Sequence, residues 1–76
     1  MTEQTTYLDC QNLNCPMPIV KMAKAIKHME IGDVLEVTAT DPAFRPDVEA
    51  WARKTGHILE SFHTENNLTV ATVRKK

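Results

Sequence analysis

The segment that decides the fold is residues 9–18, Asp-Cys-Gln-Asn-Leu-Asn-Cys-Pro-Met-Pro. It ends one hydrophobic run, makes a turn and begins a helix. Pro16 suits the first position of a helix, where its fixed φ fits and its missing N–H would have had no partner. Cys15 is therefore predicted at or next to the N-cap, facing unpaired backbone N–H groups. Those donors and the positive end of the helix dipole favour a thiolate, the nucleophilic form of cysteine.

A structural interpretation of the same cysteine is also open. Cys15 can be a small buried residue that caps the helix, while Pro16 and Pro18 only stop the turn from fraying. The four residues Cys-Pro-Met-Pro do not by themselves separate this interpretation from the nucleophilic one.

The length of 76 residues predicts one small domain spanning residues 1–76, with a loose N-terminus at residues 1–4. The formal net charge of -1 provides no global basic field for nucleic acid. No positively charged segment followed by an apolar run begins the chain, and no stretch is long enough to span a bilayer. We therefore expect a cytoplasmic protein that does not contact membranes.

The cysteines and histidines do not have the paired spacing of a zinc site, so neither a metal nor a cofactor is expected. We expect the histidines to be surface or hydrogen-bonded residues; they are His28, His57 and His63. The spacing of Trp51 predicts core packing rather than a base-stacking surface.

Hydrophobic periodicity predicts four strands and two helices. The predicted elements are a strand over Thr5–Asp9, a helix over Pro16–Met29, a strand over Val34–Thr40, a helix from Pro46 to Gly56, and strands over His57–His63 and Leu68–Arg74. Leu35, Val37 and Ala39 are predicted to share one buried side of the second strand, and residues 64–67 to form a hairpin turn. In the second helix, Val48, Trp51, Ala52 and Thr55 are predicted to point inward, with Gly56 as its end.

The order of these elements is βαβαββ. Right-handed crossovers place both helices on one face of the sheet, which gives a two-layer α/β (α+β) sandwich. The predicted four-stranded mixed sheet has the order 1-2-4-3 with the last strand antiparallel. Because the carboxyl ends of parallel strands meet at one edge, Cys15 and Asp41 should lie at the same edge.

The other polar and apolar residues near this edge have two interpretations each. Asp9 and Asp41 are expected to shape loops through their carboxylates, because a carboxylate beside a thiolate would raise the thiolate's pKa. In the structural interpretation, the basic residues form a solvated helix face and the apolar residue is ordinary packing. In the functional interpretation, these residues form a docking surface for an acidic partner. These possible docking residues are Met17, Lys21, Lys24 and Arg45, and Lys27 continues the lysine stripe.

Cys10 is interpreted as a small hydrophobic residue that ends a strand, because none of the activating features around Cys15 surrounds it. The alternative is a second thiol that forms a disulfide with Cys15 and acts as a redox switch.

The motifs resemble those of the TusA/SirA family of sulfur carriers from about Tyr7 to Arg74. They are Leu8-Asp9, Leu13-x-Cys15-Pro16-x-Pro18 and Asp41-Pro42. Two positions depart from the family pattern, since Asn12 stands where the family usually has glycine and Cys10 where it usually has another residue. Asparagine tolerates left-handed backbone conformations better than most residues, so the turn can form.

The resemblance implies that Cys15 accepts sulfane sulfur as a persulfide and relays it. It implies a donor protein such as a cysteine desulfurase or a rhodanese, and an acceptor that is DsrE-like or of another kind. The implied uses are tRNA thiolation, molybdenum cofactor synthesis or sulfur oxidation. Such a protein is a sulfurtransferase-type carrier, expected to be a monomer, rather than a conventional turnover enzyme.

Two other functions remain open at this point. The fold is similar to that of the C-terminal domain of translation initiation factor three, which with the lysine stripe suggests a nucleic-acid-binding or regulatory module. The near-neutral charge does not favour direct nucleic-acid binding. The third possibility is the Cys10/Cys15 redox switch.

Overall fold

The computed structural model describes residues 4–14 and 17–76. The predicted order of elements is confirmed. The elements are β1 (Thr5–Cys10), α1 (Met17–Lys27), β2 (Val34–Ala39), α2 (Phe44–Thr55), β3 (Ile58–Glu65) and β4 (Leu68–Arg74). The predicted positions of Cys15 and Pro16 at the start of the first helix lie outside the described residues, as does most of the predicted loose N-terminus.

The four strands form one sheet in the order β1-β2-β4-β3, as predicted. β1 pairs with β2 in parallel, while β4 is antiparallel to both of its neighbours, β2 and β3. α1 contacts β1 and β2, α2 contacts β3 and β4, and the two helices contact each other. This two-layer arrangement confirms the predicted sandwich. It also brings the carboxyl ends of β1 and β2 to one edge, where the loops to α1 and α2 begin.

The core lies between the sheet and the helices. Leu35, Val37 and Ala39 are fully buried, as their alternation in β2 predicts. Met22 of α1 and Val48 of α2 are also fully buried and belong to the same cluster. The core is therefore built mainly from aliphatic side chains and methionine.

α2 begins at Phe44 rather than at Pro46, so the predicted start is wrong by two residues. The Phe44 N–H donates to the Asp41 C=O at 3.0 Å, which forms a turn before Pro46 is reached. Pro46 is still in the first turn, where a missing N–H removes no hydrogen bond within the helix.

The end of α2 is the predicted one. Gly56 is left-handed at φ 83°, and its N–H donates to the Ala52 C=O at 2.9 Å. Thr55, however, is exposed rather than inward. Its hydroxyl donates to the Trp51 C=O at 2.7 Å, a bond that it makes within its own helix. Trp51 is half-buried and packs against the core.

The β3–β4 hairpin is tighter than predicted. Thr64 and Glu65 belong to β3 and pair with Thr69 and Leu68, so the turn consists of only Asn66 and Asn67. Both asparagines have positive φ, 51° and 67°, as a two-residue hairpin turn of type I′ requires.

Candidate functional site

The loop after β1 is anchored to the end of the strand and to the neighbouring strand. The Asp9 carboxylate accepts a hydrogen bond from the Gln11 N–H at 3.0 Å. The Asn12 N–H donates to the Thr40 hydroxyl at 2.9 Å, which ties the loop to the residue that follows β2. The two loops at this edge of the sheet are thus joined directly, ahead of the segment that holds Cys15.

The chain on both sides of the Cys15-Pro16 pair is held by further bonds. The Leu13 N–H donates to the Cys10 C=O at 3.3 Å, and the Met17 N–H donates to the Asn14 C=O at 2.8 Å. Pro18 is almost completely buried on the inner side of the first turn of α1. The residues that flank the Cys15-Pro16 pair in the chain, Asn14 and Met17, are thus hydrogen-bonded to each other, and Pro18 packs into the core.

Asn12 has the left-handed conformation that the sequence predicts for a turn that is usually made with glycine, with φ 65°. The left-handed conformation raises the free energy of a residue that has a Cβ by roughly 1–2 kcal/mol, and by less for asparagine than for most other residues. We expect Asn12→Ala to lower the free energy of unfolding by about 1 kcal/mol and Asn12→Gly to leave it equal or higher. Urea unfolding followed by circular dichroism measures both. Equal stability of the alanine and glycine variants would contradict a strained turn.

Asp41 shapes the second loop at this edge. Its carboxylate accepts the Ala43 N–H at 3.0 Å, and its C=O accepts the Phe44 N–H at 3.0 Å. Asp9 and Asp41 thus both bind backbone N–H groups two residues ahead, which is the geometry of an Asx-turn.

Cys10 is the last residue of β1 and has no exposed surface. It belongs to the core cluster that also contains Met22 and Ala39. Burial raises the pKa of the Cys10 thiol, and the negative charge of Asp9 raises it too, while the positive charge of Lys21 lowers it. Because burial is the largest of these effects, Cys10 is a protonated core residue at neutral pH.

The outer face of α1 is both apolar and basic. Met17 is 45% exposed and Val20 37% exposed, and the lysines of the stripe, Lys21, Lys24 and Lys27, are exposed as well. Met17 is therefore partly exposed at the start of α1, where Pro18 occupies the inner side of the first turn. An exposed methionine thus follows the Cys15-Pro16 pair directly in the chain.

Arg45 lies over the ring of Phe62 in β3, with its guanidinium carbon 5.2 Å from the ring centroid. It lines a shallow depression together with Asp41, Pro42 and Thr64. The sequence placed Arg45 beside Asp41. It did not predict the contact of Arg45 with Phe62 or the hydrogen bond of Asn12 to Thr40, because each joins elements that are distant in the chain.

The histidines lie away from this loop or on the surface. His57 precedes β3, at the opposite edge of the sheet, and its ring is tilted by 36° against that of Trp51, with the centroids 5.4 Å apart. Burial and the Lys75 charge lower the pKa of His57. His28 and His63 are exposed. Within residues 4–14 and 17–76, no group of histidines, cysteines and acidic residues is arranged to hold a metal ion.

The family is established by comparison with known proteins. Residues 6–75 match the family model described as sulfurtransferase TusA. The chain belongs to the TusA family. Its similarity to the putative sulfur carrier protein YrkF of Bacillus subtilis is 43% identity over 75 residues, which is 99% of this chain and 40% of YrkF. A putative sulfur carrier protein of Aquifex aeolicus is 40% identical over 90% of this chain, which spans only 34% of that relative.

Other relatives of this family are matched over most of their length. A putative sulfur carrier protein of Neisseria meningitidis is 41% identical over 91% of this chain and 93% of its own. The sulfur carrier protein TusA of Allochromatium vinosum is 46% identical over 78% of each chain. The crystal structure of a SirA-like protein from Desulfitobacterium hafniense matches with a TM-score of 0.79 over 91% of this chain and 95% of that one. At 23% identity, this last match supports the fold alone.

Of the relatives matched by sequence, the protein of Allochromatium vinosum is named a sulfur carrier protein and the others are named putative sulfur carrier proteins. Among the described helices, none is both long and apolar enough to cross a membrane.

Proposed function

We propose that the protein carries sulfane sulfur as a persulfide on Cys15 and relays it from a donor protein to an acceptor protein. The observation that carries this proposal is the burial of the other cysteine. The sequence has two cysteines, and Cys10 is fully enclosed in the core. A sulfur relay needs an accessible thiolate, so the role falls to Cys15 of the Cys-Pro-Met-Pro motif.

The chemistry is a thiolate displacement. The Cys15 thiolate attacks the terminal sulfur of the donor's persulfide, a new S–S bond forms, and the donor's S–S bond breaks. The donor cysteine leaves as a thiolate, and the proton of the terminal sulfur remains with the transferred group. The second transfer repeats this displacement with the acceptor thiolate as nucleophile, so no oxidant, reductant or metal is consumed.

The surrounding residues support delivery of this one atom. Asp9 and Asp41 bind loop amides, which fits loop shaping rather than proton transfer. Since these two carboxylates are engaged in shaping the loops, we assign activation of the Cys15 thiolate to the N-terminal end of α1. We assign partner docking to Met17, Lys21 and Lys24 on the outer face of α1 and to Arg45 at the same edge of the sheet.

The donor in this proposal is a cysteine desulfurase or a rhodanese, and the acceptor is a DsrE-like or other sulfur acceptor. The pathways that fit are tRNA thiolation, molybdenum cofactor synthesis and sulfur oxidation. The proposal includes a monomeric carrier in the cytoplasm, where reducing conditions keep thiols free. Burial of Cys10 disfavours the redox switch, because a disulfide would require this thiol to leave the core.

Sulfur labelling tests the relay. The protein is incubated with a cysteine desulfurase and [35S]cysteine, or with a rhodanese and thiosulfate labelled in its sulfane sulfur. The label should migrate with the protein on a non-reducing gel and disappear after dithiothreitol. If several donors of both classes leave the protein unlabelled, the proposal is wrong.

Pro16→Ala should slow sulfur transfer without unfolding the protein. The proline ring limits the backbone conformations available at the start of α1 and therefore the direction in which the Cys15 sulfur points. Loss of this orientation can reduce the rate of sulfur transfer by roughly tenfold or more. The free energy of unfolding should fall by no more than about 1 kcal/mol, since one helix start is a small part of the fold. Initial transfer rates and urea unfolding measure the two effects.

The matched control is Pro46→Ala, which removes an exposed proline from the first turn of α2. It should leave the transfer rate unchanged. Equal transfer rates for Pro16→Ala and the unmodified protein would mean that the Pro16 ring only ends the loop.

A further inference from the structure

The sheet has one covered face and one open face. Leu35, Val37 and Ala39 of β2 point toward the helices and are fully buried. Successive side chains of a strand point to opposite faces, so Glu36 and Thr38 lie on the other side of the sheet. Within residues 4–14 and 17–76, no helix or strand packs on that side, which we call the open face.

The strand register places residues of three strands together on the open face. Tyr7 is opposite Glu36, and Asp9 is opposite Thr38, in the parallel pair of β1 and β2. Thr38 is in turn opposite Val70 of β4. The Thr38 hydroxyl donates to the Asp9 carboxylate at 3.5 Å, so these two side chains share the open face.

Two shallow depressions of the open face adjoin at this row. The first is lined by Tyr7, Asp9, Glu36 and Thr38. The lining of the second includes Gln11, Thr40, His63, Glu65, Leu68 and Val70. Because Thr38 of the first is paired with Val70 of the second, the two depressions form one trough. The trough crosses the sheet from β1 to β3, about 14 Å at the usual spacing of strands.

The trough ends beside the segment that holds Cys15. Thr40 lines the trough, and its hydroxyl accepts the Asn12 N–H at 2.9 Å. Cys15 follows Asn12 by three residues, a length of chain that spans at most about 11 Å. A protein seated in the trough therefore lies next to the Cys15 loop.

The trough combines an apolar floor with negative charge. Leu68 and Val70 are half-buried on its floor. Its carboxylates are those of Asp9, Glu36 and Glu65, and the described lining residues include no lysine or arginine. Glu36 forms no ion pair with a described residue. A positively charged occupant would therefore be attracted to the trough.

The negative charge also decides between kinds of occupant. A nucleic acid or an anionic membrane would be repelled by the same carboxylates. The α1 helix of a second copy is basic and contains no acidic residue. However, that contact would join two different surfaces and leave one of each free on every pair, which produces open chains rather than a closed dimer. The occupant that fits is a basic surface of another protein.

We propose that the trough is the docking surface for a basic, amphipathic segment of a partner protein. Apolar side chains of the segment pack on Leu68 and Val70, and its lysine or arginine side chains face Glu36 and the neighbouring carboxylates. This inference rests on the proposed function, because the partner that docks beside the Cys15 loop is one that exchanges sulfur there. The open face and the lysine-bearing α1 then receive the two partners of the relay by opposite charge.

Three synthetic peptides test the trough. Each has about fourteen residues and blocked ends. The first has leucine at helical spacing along one face and lysine on the flanks, the second has glutamate in place of lysine, and the third is the first with its leucines distributed around all sides. In an NMR titration of the 15N-labelled protein, the first peptide should shift the amides of Glu36, Thr38 and Val70. The second should leave them unshifted, and the third should bind at least about threefold more weakly.

Charge variants locate the interaction. Glu36→Lys should weaken binding of the first peptide by about fivefold or more, since an attraction becomes a repulsion. Glu36→Gln removes the charge at nearly constant size and should weaken binding less, which keeps the test available if the reversal disturbs the sheet. The matched control is Glu49→Lys, which makes the same charge reversal at an exposed position of α2 and should leave binding unchanged.

Several results would overturn the inference. They are equal binding of the lysine and glutamate peptides, equal binding of the first and third peptides, no binding of the first peptide at millimolar concentration, and shifts confined to the helices. Self-association of the free protein that Glu36→Lys abolishes would assign the trough to a second copy instead. Loading of Cys15 by inorganic polysulfide, which needs no protein partner, separates the two proposals. Normal loading without peptide binding overturns the docking inference alone, and peptide binding without loading overturns the sulfur-carrier proposal alone.

Discussion

Iodoacetamide should modify Cys10 of the folded protein about a thousandfold or more slowly than Cys10 of the unfolded chain. The thiol has no exposed surface, and burial raises its pKa. Reaction therefore requires an opening of the core. If the opening costs a large share of a small domain's stability, about 4 kcal/mol or more, the reactive form is populated below roughly one part in a thousand.

The Cys15→Ser variant allows the Cys10 rate to be measured alone, and Cys10→Ser gives the rate of Cys15. Cys15 should react with a pKa below the value of about 8.5 for a free cysteine. The Cys10 rate in urea provides the unfolded reference. Rapid labelling of Cys10 under native conditions, or a Cys15 rate at neutral pH equal to that of an unstructured thiol, would contradict this division of roles.

Phe44→Ala should destabilise the protein by about 3–5 kcal/mol, the cost of removing a fully enclosed aromatic ring. Phe44 is 1% exposed at the start of α2, and its ring packs edge-on against Phe62 with centroids 6.4 Å apart. This loss approaches the whole stability of a domain of this size, roughly 4–11 kcal/mol. Urea unfolding measures it.

Phe44→Leu keeps the fold measurable if the alanine variant does not fold, and should cost about 1–2 kcal/mol. Phe62→Ala is the matched control, because Phe62 is only half-buried and its loss should cost less. A loss below about 1 kcal/mol for Phe44→Ala would mean that the start of α2 does not anchor the helix.

The sequence predicted those elements in which local pattern and tertiary environment agree. In β2 the alternation of Leu35, Val37 and Ala39 coincides with burial against the helices. The observed strand order is the predicted one, which the family resemblance also implied. Gly56 ended α2 as predicted, because a left-handed cap has a local sequence requirement.

The errors arose where a tertiary contact outweighed the local signal. Pro46 is a strong helix-start residue, but burial of Phe44 and its bond to Asp41 begin α2 earlier. Around the candidate site, the backbone bonds of Asp9 and Asp41 are local and were foreseeable from residue type. The Asn12–Thr40 bond and the contact of Arg45 with Phe62 join distant parts of the chain, so no spacing in the sequence marks them.

The central claim is that one atom, the sulfur of Cys15, holds the transferred sulfur. The most direct measurement is the intact mass, under non-reducing conditions, after incubation with a sulfur donor and removal of excess reagent. The unmodified protein and Cys10→Ser should each gain the mass of one sulfur atom, which dithiothreitol removes. Cys15→Ser should gain nothing, because a hydroxyl cannot hold a sulfane sulfur. Loading of Cys15→Ser, or loss of loading in a folded Cys10→Ser, would contradict the assignment.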